Sequence, residues 1–256
     1  MTRLLEKLTT PITDETEFPK PGRVGDWIPI PHRTLIKKLR KAITAEGCTI
    51  TAEEMAAGPG KDDFAGMPLC RVYGCFVLQG VEGVPAPVIC FRNTYDATFA
   101  TSITVGFVLS GGEVVIYLEE SIDRRDIDRE DDMVAALRRQ FPRLLTAAVK
   151  VVVESIRNHI GDGRLIEGRL ANYRAHKLRG ADYAHLLLEV AAAKVVGVQS
   201  LLPLWRADHV GAQGVTVEDF LTDMAGHLAG THPCNLPKKT IRLIKVLDGY
   251  CGPRTV

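Results

Sequence analysis

Three polar residues with complementary chemistry lie close together in the segment "FRNTYDATFATS", residues 91–102. Arg92 carries a planar guanidinium that can bind a carboxylate or a phosphate, and Asn93 and Asp96 add acceptor oxygens. At the end of a strand these side chains could converge on a polar ligand. Asn and Asp side chains also hydrogen-bond nearby backbone and stabilise tight turns, and the sequence favours this structural interpretation. We therefore predict that "RNTYD", residues 92–96, is a turn joining two antiparallel strands, with Asn93 or Asp96 bonded to local backbone.

Clusters of basic residues are the second feature with possible chemistry. One cluster, residues 32–41, could contact several phosphates if its polar side is exposed, although a solvated helix face explains it equally. Another, residues 164–179, includes Tyr173 and is followed by Tyr183. The rings of these tyrosines could stack on bases or belong to the core. The candidates for binding nucleic acid are His32, Arg33, Lys37, Lys38, Arg40, Lys41, Arg174, Lys177 and Arg179. A third basic segment contains Lys238, Lys239, Arg242 and Lys245.

Other residues that could do chemistry form no recognisable site. The spacing of His227, His232, Cys234 and Cys251 matches no common zinc module. Acidic residues between positions 123 and 132 alternate with arginines, which predicts a solvated charge run rather than a metal site. The chain contains no nucleophile elbow, phosphate-binding loop, dinucleotide fingerprint or H-E-x-x-H motif. We predict no catalytic residue, metal or cofactor.

The elements that must position these residues begin with an extended arm and a helix. Residues 1–31 contain five prolines, which favours an extended arm. The segment "PHRTLIKKLRKAITAEG" then has the apolar spacing of an amphipathic helix that ends at Gly47. Its predicted buried residues are Leu35, Ile36, Leu39 and Ile43.

Strands and then helices follow along the chain. Short β-branched and aromatic runs between residues 48 and 118 predict an antiparallel sheet of about four or five strands, with "AEEMAAGPGKDDFAG" as a surface loop. Helical spacing begins after the charge run, with a break near Gly180. The fold class is therefore α+β: an N-terminal antiparallel sheet with a flanking helix, followed by a helical C-terminal half. We predict an arm at 1–31, a sheet region at 32–120 and a helical region at 121–256 packed on it, together forming one continuous domain.

Net charge, cysteine spacing and the distribution of apolar residues limit the ligands and the location that we expect for this protein. The net charge is only +1, so any attraction to nucleic acid must come from a local surface. The six cysteines include no C-x-x-C pair, which predicts free thiols. The sequence has neither a signal-peptide core nor about 18 consecutive apolar residues, so we expect a cytoplasmic protein without a membrane partner.

Three segments in this order resemble a phage- and plasmid-borne family, domain of unknown function 932. They are "IPIPHRTLIKKLRKAITAEG", "FRNTYDATFATSITVGFVLSGGEVV" and "LLPLWRADHVGAQGVTVEDFLTDMAGHL", and the resemblance covers about residues 27–230. The family's Asn-Ser/Thr-x-Asp turn is matched by Asn93, Thr94, Tyr95 and Asp96. The family often has a Cys-x-Asn segment after the next strand, where this chain has "LSGGEVV", so no role of that segment carries over. The resemblance implies a mobile-element setting, and it transfers no catalytic residue.

Three hypotheses of function follow. The first is a non-enzymatic accessory protein of a phage or plasmid that binds DNA or RNA, with single-stranded DNA as one candidate ligand. The second is a protein that binds and counters a host defence or replication protein. The third is an enzyme with a site around Arg92, Asn93 and Asp96. The sequence favours the first, and it leaves the oligomeric state open.

Overall fold

The described residues form a six-stranded antiparallel sheet and a set of helices, which confirms the α+β fold class. The sheet has more strands than the four or five that the sequence predicted, and one of them, at residues 10–11, lies in the predicted arm. The computed structural model describes residues 10–20, 29–61, 64–80, 85–109, 115–122, 164–204, 215–233 and 235–252. Each strand pairs with the next one along the chain. The described strands are β1 (Thr10–Pro11), β2 (Ile50–Gly58), β3 (Arg71–Leu78), β4 (Pro87–Thr94), β5 (Ser102–Val108) and β6 (Val115–Ile122).

One described helix comes near the start of the chain, and the others follow the last strand. α1 (His32–Ala45) stands between β1 and β2, and the remaining described helices follow β6. These are α2 (Arg164–Ala175), α3 (Gly180–Ala192), α4 (Leu201–Leu204), α5 (Val217–Leu228) and α6 (Leu236–Cys251). The break between α2 and α3 falls at residues 176–179, where Lys177 forms a β-bridge with Thr216. The predicted charge run from residue 123 and the predicted helix that follows it lie outside the described residues.

The sheet has apolar side chains on both faces because successive strand residues point in opposite directions. On one face, Ile89 and Phe91 pack with the buried side of α1. On the other face, Val88 and Cys90 belong to one apolar cluster with residues of α2, α3, α5 and α6. The four residues that the sequence predicted to be buried in α1 are all buried, which confirms its amphipathic pattern: Leu35, Ile36, Leu39 and Ile43.

The prediction of a surface loop at "AEEMAAGPGKDDFAG" is wrong for its first half. Residues 52–58 belong to β2, which pairs with β3 along its length and with β1 at Ala56 and Ala57. Alanine and glutamate have low intrinsic strand propensity, so the local sequence does not indicate a strand. Backbone pairing on both sides determines the conformation instead.

The prediction of free thiols is wrong for two cysteines. Cys75 on β3 lies directly opposite Cys90 on β4, and the two form a disulfide. The apolar runs around them predicted that both belong to strands, but such runs cannot predict the register that places the two side chains side by side. Disulfides persist mainly in oxidising compartments, so this bond does not support the predicted cytoplasmic location. Cys48, Cys70 and Cys251 keep their thiols, and Cys234 lies outside the described residues.

An irregular pairing near Gly106 connects the sheet to α6. Gly106 pairs with Tyr117, whereas the preceding Val105 pairs with Glu119, so β6 contains one extra residue. A Cβ atom on Gly106 would lie only 2.1 Å from the carbonyl oxygen of Ile116, which leaves no room for a side chain. The Tyr117 N–H donates to the hydroxyl of Thr240 on α6 at 3.3 Å. The bulge thus gives this helix a polar attachment to the sheet.

The N-terminal arm follows the free side of β2 over residues 10–12. Thr10 and Pro11 pair with Ala57 and Ala56, and the Ile12 N–H donates to the carbonyl oxygen of Met55 at 3.0 Å. Within the described ranges, no helix has the length and apolar character needed to cross a lipid bilayer.

Candidate nucleic-acid interface

Asn93 lies inside β4 rather than in a turn, and its buried side chain holds the beginning of α1. Its Nδ2 donates to the carbonyl oxygen of Ile30 at 2.7 Å and lies 2.9 Å from Nδ1 of His32. The hydroxyl of Thr101 donates to its Oδ1 at 2.6 Å. Because the amide nitrogen carries two hydrogens, it satisfies both acceptors when His32 Nδ1 is unprotonated. Asn93 therefore connects three segments of the chain.

Tyr95 provides the second polar attachment of α1. The residue that precedes the helix, Pro31, has no side-chain acceptor for the first turn. The hydroxyl of Tyr95 accepts the His32 backbone N–H at 2.8 Å, and the two rings stack with centroids 3.7 Å apart. A buried side chain that directly follows β4 thus replaces the usual local cap of a helix. We call Asn93, Tyr95 and His32 the helix clasp.

His32 does not belong to a nucleic-acid-binding surface, which corrects the expectation from the sequence. Its side chain is fully buried in the helix clasp. Burial lowers the pKa of His32 to about 3, against a smaller opposing effect from the carbonyl groups of Cys70 and Leu69. The ring is therefore neutral near pH 7, and it supplies no charge for a phosphate.

Asp96 is bonded to local backbone as predicted, and it also fixes the loop between β2 and β3. Its carboxylate accepts the N–H of Thr98 at 3.1 Å and that of Lys61 at 2.9 Å. Arg71 adds an ion pair at 2.6 Å. Burial acts to raise the pKa of Asp96, but hydrogen bonds from Thr94, Thr98 and Arg71 hold it well below its usual range. Asp96 is an ionised anchor between two loops.

The structure does not bring Arg92, Asn93 and Asp96 together at one site, which argues against the alternative interpretation that they converge on a polar ligand. Arg92 and Asn93 are consecutive strand residues, so they point to opposite faces of the sheet. Arg92 lies on the face of the later helices, where its guanidinium is 5.6 Å from the centroid of the Phe99 ring. Asn93 faces α1, and Asp96 faces Arg71.

Four exposed cations define the α1 basic surface: Arg33, Lys37, Lys38 and Lys41. Arg33, Lys37 and Lys41 are four residues apart, so they lie along one side of the helix at intervals of about 6 Å. The three lysines form no ion pair with another described residue. Arg33 donates to the carbonyl oxygen of Thr16 at 2.6 Å and remains exposed.

Arg40 was predicted to belong to this surface, but its guanidinium is ion-paired with two carboxylates. Its Nε and Nη2 atoms donate to Glu53 at 2.8 and 2.6 Å, and Nη2 also lies 3.2 Å from Asp14 of the arm. The hydrogen bond to Glu53 is the main reason that the pKa of Arg40 is raised. Arg40 connects the arm, α1 and β2, and its charge is largely neutralised.

A groove of about 450 Å³ runs beside the basic surface, between the arm, α1 and β2. Its apolar lining comes from Ile12 and Phe18 of the arm, Ile36 of α1 and Met55 of β2. Its charged lining comes from Arg33, Lys37 and the Asp14–Arg40–Glu53 network. Sequence reasoning missed the groove because it forms only when the arm lies along β2. The available signal was an aromatic residue, Phe18, in a proline-rich arm that also contains Trp27.

The second predicted cluster is less suited to binding phosphates. Arg174 forms a two-contact ion pair with Glu218, while Lys177 and Arg179 are exposed around the break between α2 and α3. Tyr173 and Tyr183 are both buried, so neither ring can stack on a base. This corrects the stacking interpretation of those two residues.

The third basic segment lies on α6, on the opposite face of the sheet. Lys238, Arg242 and Lys245 are exposed there, and Lys239 is half-buried. Nearby, the ring of His232 packs edge-on against Tyr73, with centroids 5.7 Å apart. In the part of the chain that the structure describes, no three His, Cys, Asp or Glu residues are grouped so that they could hold a metal.

Comparison of the chain with protein-family models, curated proteins and solved structures found no match. The resemblance to domain of unknown function 932 therefore stays a prediction. The α1 basic surface and its groove are the features of the molecule that bear on function.

Proposed function

We propose that the protein binds nucleic acid through the α1 basic surface. The observation that carries this proposal is that three exposed lysines, Lys37, Lys38 and Lys41, have no ion pair with a described residue, and Arg33 extends their row. The opposite side of α1 is fixed in the core, so all four cations are held on the outside of a rigid element. Phosphate groups are the ligands that such a row attracts.

The small net charge of the chain determines the affinity and the salt dependence that we expect for this binding. At +1, the protein as a whole does not attract a polyanion, so the local field of these four side chains must supply the attraction. Contacts to phosphates release counterions and carry no sequence information. Binding is therefore modest in affinity, steeply dependent on salt and similar for unrelated sequences.

The competing hypotheses have less support from the geometry. An enzyme built on Arg92, Asn93 and Asp96 needs these side chains at one site, and they face different partners. For a protein-binding factor, the exposed large apolar residues among those described are Leu188 and Val198, and isolated residues of this kind are ordinary surface features. The proposed setting in a phage or plasmid depends on the family resemblance alone.

The proposal is tested by comparing two variants with equal changes of charge. One replaces Lys37, Lys38 and Lys41 by Gln on α1, and the matched control replaces Lys238, Arg242 and Lys245 by Gln on α6. Binding to single-stranded DNA, duplex DNA and RNA is measured by gel shift over a range of about 50 to 200 mM salt. We expect the α1 variant to bind more weakly across unrelated sequences, with a salt slope flatter by about two to three.

The control variant distinguishes a local surface from the net charge. Equal weakening by both variants would show that α1 has no special role and would contradict the proposal. Absence of any binding by the wild type at low salt would also contradict it, and the protein-partner hypothesis would take its place.

A further inference from the structure

We infer that the groove beside α1 holds one unpaired nucleotide, with its base against Phe18 and its phosphate at Arg33 and Lys37. This inference rests on the proposed function and deepens it, because it makes an unpaired strand the preferred ligand. It uses residues of the arm, which the binding of phosphates by α1 does not require.

The shape and lining of the groove suit a flat, partly apolar ligand. Its volume of about 450 Å³ lies within the range of ligand sites in proteins. Ile12, Ile36 and Met55 supply apolar surface, and Phe18 supplies an aromatic ring. The edge contact of Phe18 with His32, at 5.3 Å between centroids, fixes the ring against the helix clasp. Aromatic rings of this kind bind bases of any sequence by stacking.

The charged and polar groups around the groove suit the two parts of a nucleotide, its phosphate and its base. Arg33 is held at the groove by its hydrogen bond to Thr16, and Lys37 stands one helical turn further along. These two cations can bind one phosphate. The carboxylates of Asp14 and Glu53 also line the groove, where Arg40 compensates much of their charge. Each carboxylate has further lone pairs, which can accept hydrogen bonds from the amino groups of an unpaired base.

Only an unpaired base can enter this groove, because the bases of a duplex are stacked on each other and paired along their edges. A free nucleotide and one unit of a single strand present the same chemistry. Beyond the groove, Lys38 and Lys41 continue the row of cations on α1. They can bind the next phosphates of a strand, so we expect a strand to bind more tightly than a mononucleotide.

The test uses the full chain and four ligands: a single-stranded oligonucleotide, an abasic strand of equal length, the corresponding duplex and a mononucleotide as competitor. Phe18→Leu keeps apolar bulk in the groove and removes the ring. Phe64→Leu, at another half-buried phenylalanine outside the groove, is the matched control. Thermal melting checks that both variants remain folded, and fluorescence anisotropy measures binding.

We expect Phe18→Leu to weaken binding of the single strand about tenfold, while binding of the abasic strand and the duplex stays unchanged. Phe64→Leu should leave all affinities unchanged. If the wild type binds the abasic strand as tightly as the normal strand, or if Phe18→Leu weakens all ligands alike, the groove inference is overturned and the α1 basic surface still stands. Absence of binding to every ligand at low salt overturns both proposals. A mononucleotide that competes as strongly as the strand supports the groove and contradicts the nucleic-acid proposal.

Discussion

α1 and α6 lie on opposite faces of the same sheet and both carry exposed cations, but they are attached in different ways. α1 combines an apolar row with the buried polar clasp of Asn93, Tyr95 and His32. α6 is linked to the sheet by the bond between Thr240 and Tyr117, its Asp248 accepts hydrogen bonds from Arg169 and Tyr173 of α2, and its buried side packs in the apolar core. The two helices therefore carry similar charges but are attached to the sheet by different contacts.

This difference indicates that the position of a basic helix in the fold determines whether it can form a binding site more than its charge does. The sequence presents α1 and α6 as two similar amphipathic segments. In the fold, only α1 lies beside the arm and the groove that the arm forms with β2. The helix clasp holds α1 in the orientation that creates this groove, so the buried polar residues serve the candidate interface indirectly.

The largest expected effect comes from breaking the helix clasp with Asn93→Ala. The substitution removes the partners of Ile30, His32 and Thr101 in a buried place, so we expect the free energy of unfolding to fall by about 3 kcal/mol. Urea unfolding measures the loss. Because α1 is loosened, nucleic-acid binding should also weaken at temperatures at which the variant remains folded. A loss below about 1 kcal/mol would show that the clasp is not the main support of α1.

Low pH should also reduce the stability of the protein on this face of the sheet, through protonation of His32. Its folded pKa of about 3 lies below its ordinary value of 6.5, so the unfolded chain binds a proton that the folded protein excludes. This contribution to stability is present above pH 6.5 and is lost as pH falls toward 3. We expect a loss of about 1.4 kcal/mol for each pH unit within that window.

The variant His32→Gln is the control for this pH dependence. Glutamine cannot be protonated, so urea unfolding at several pH values should show a slope smaller by one proton than that of the wild type. The comparison uses slopes, so a general loss of stability in the variant does not affect it. Identical slopes in the two proteins would mean that His32 is not protected from protons by the fold.

The smallest effect is expected on the other face, from Thr240→Val. Valine has nearly the same shape as threonine and removes the hydroxyl that accepts the Tyr117 N–H. We expect a loss of about 1 kcal/mol in urea unfolding and no change in nucleic-acid binding. If Thr240→Val destabilises the protein as much as Asn93→Ala, the contrast between the two faces is incorrect.

Much of the fold could be predicted from local patterns. The spacing of Leu35, Ile36, Leu39 and Ile43 identified the buried side of α1 because a helix places such residues on one face. β2 could not be predicted, since its alanine and glutamate residues do not favour strands and its pairing partners are distant in sequence. The disulfide was missed for the same reason: it depends on the register between two strands.

The candidate site was predictable only in part. The exposed lysines of α1 follow directly from its amphipathic pattern, because residues opposite the buried face must point outward. Asn93 shows the limit of this reasoning. It stands in a turn-like sequence, yet its partners Ile30 and His32 are 63 and 61 residues away. No local signal shows that such a side chain holds a helix instead of forming a turn.

The close approach of backbone at Gly106 restricts how this sequence can diverge. Any side chain there would collide with the carbonyl oxygen of Ile116, and backbone cannot move aside as a flexible side chain can. In contrast, a Cβ atom on Gly226 of α5 or Gly249 of α6 would meet nothing within 4 Å. Mutations should therefore accumulate freely at the two helical glycines, whereas position 106 should stay glycine in every lineage that keeps the bulge and the attachment of α6.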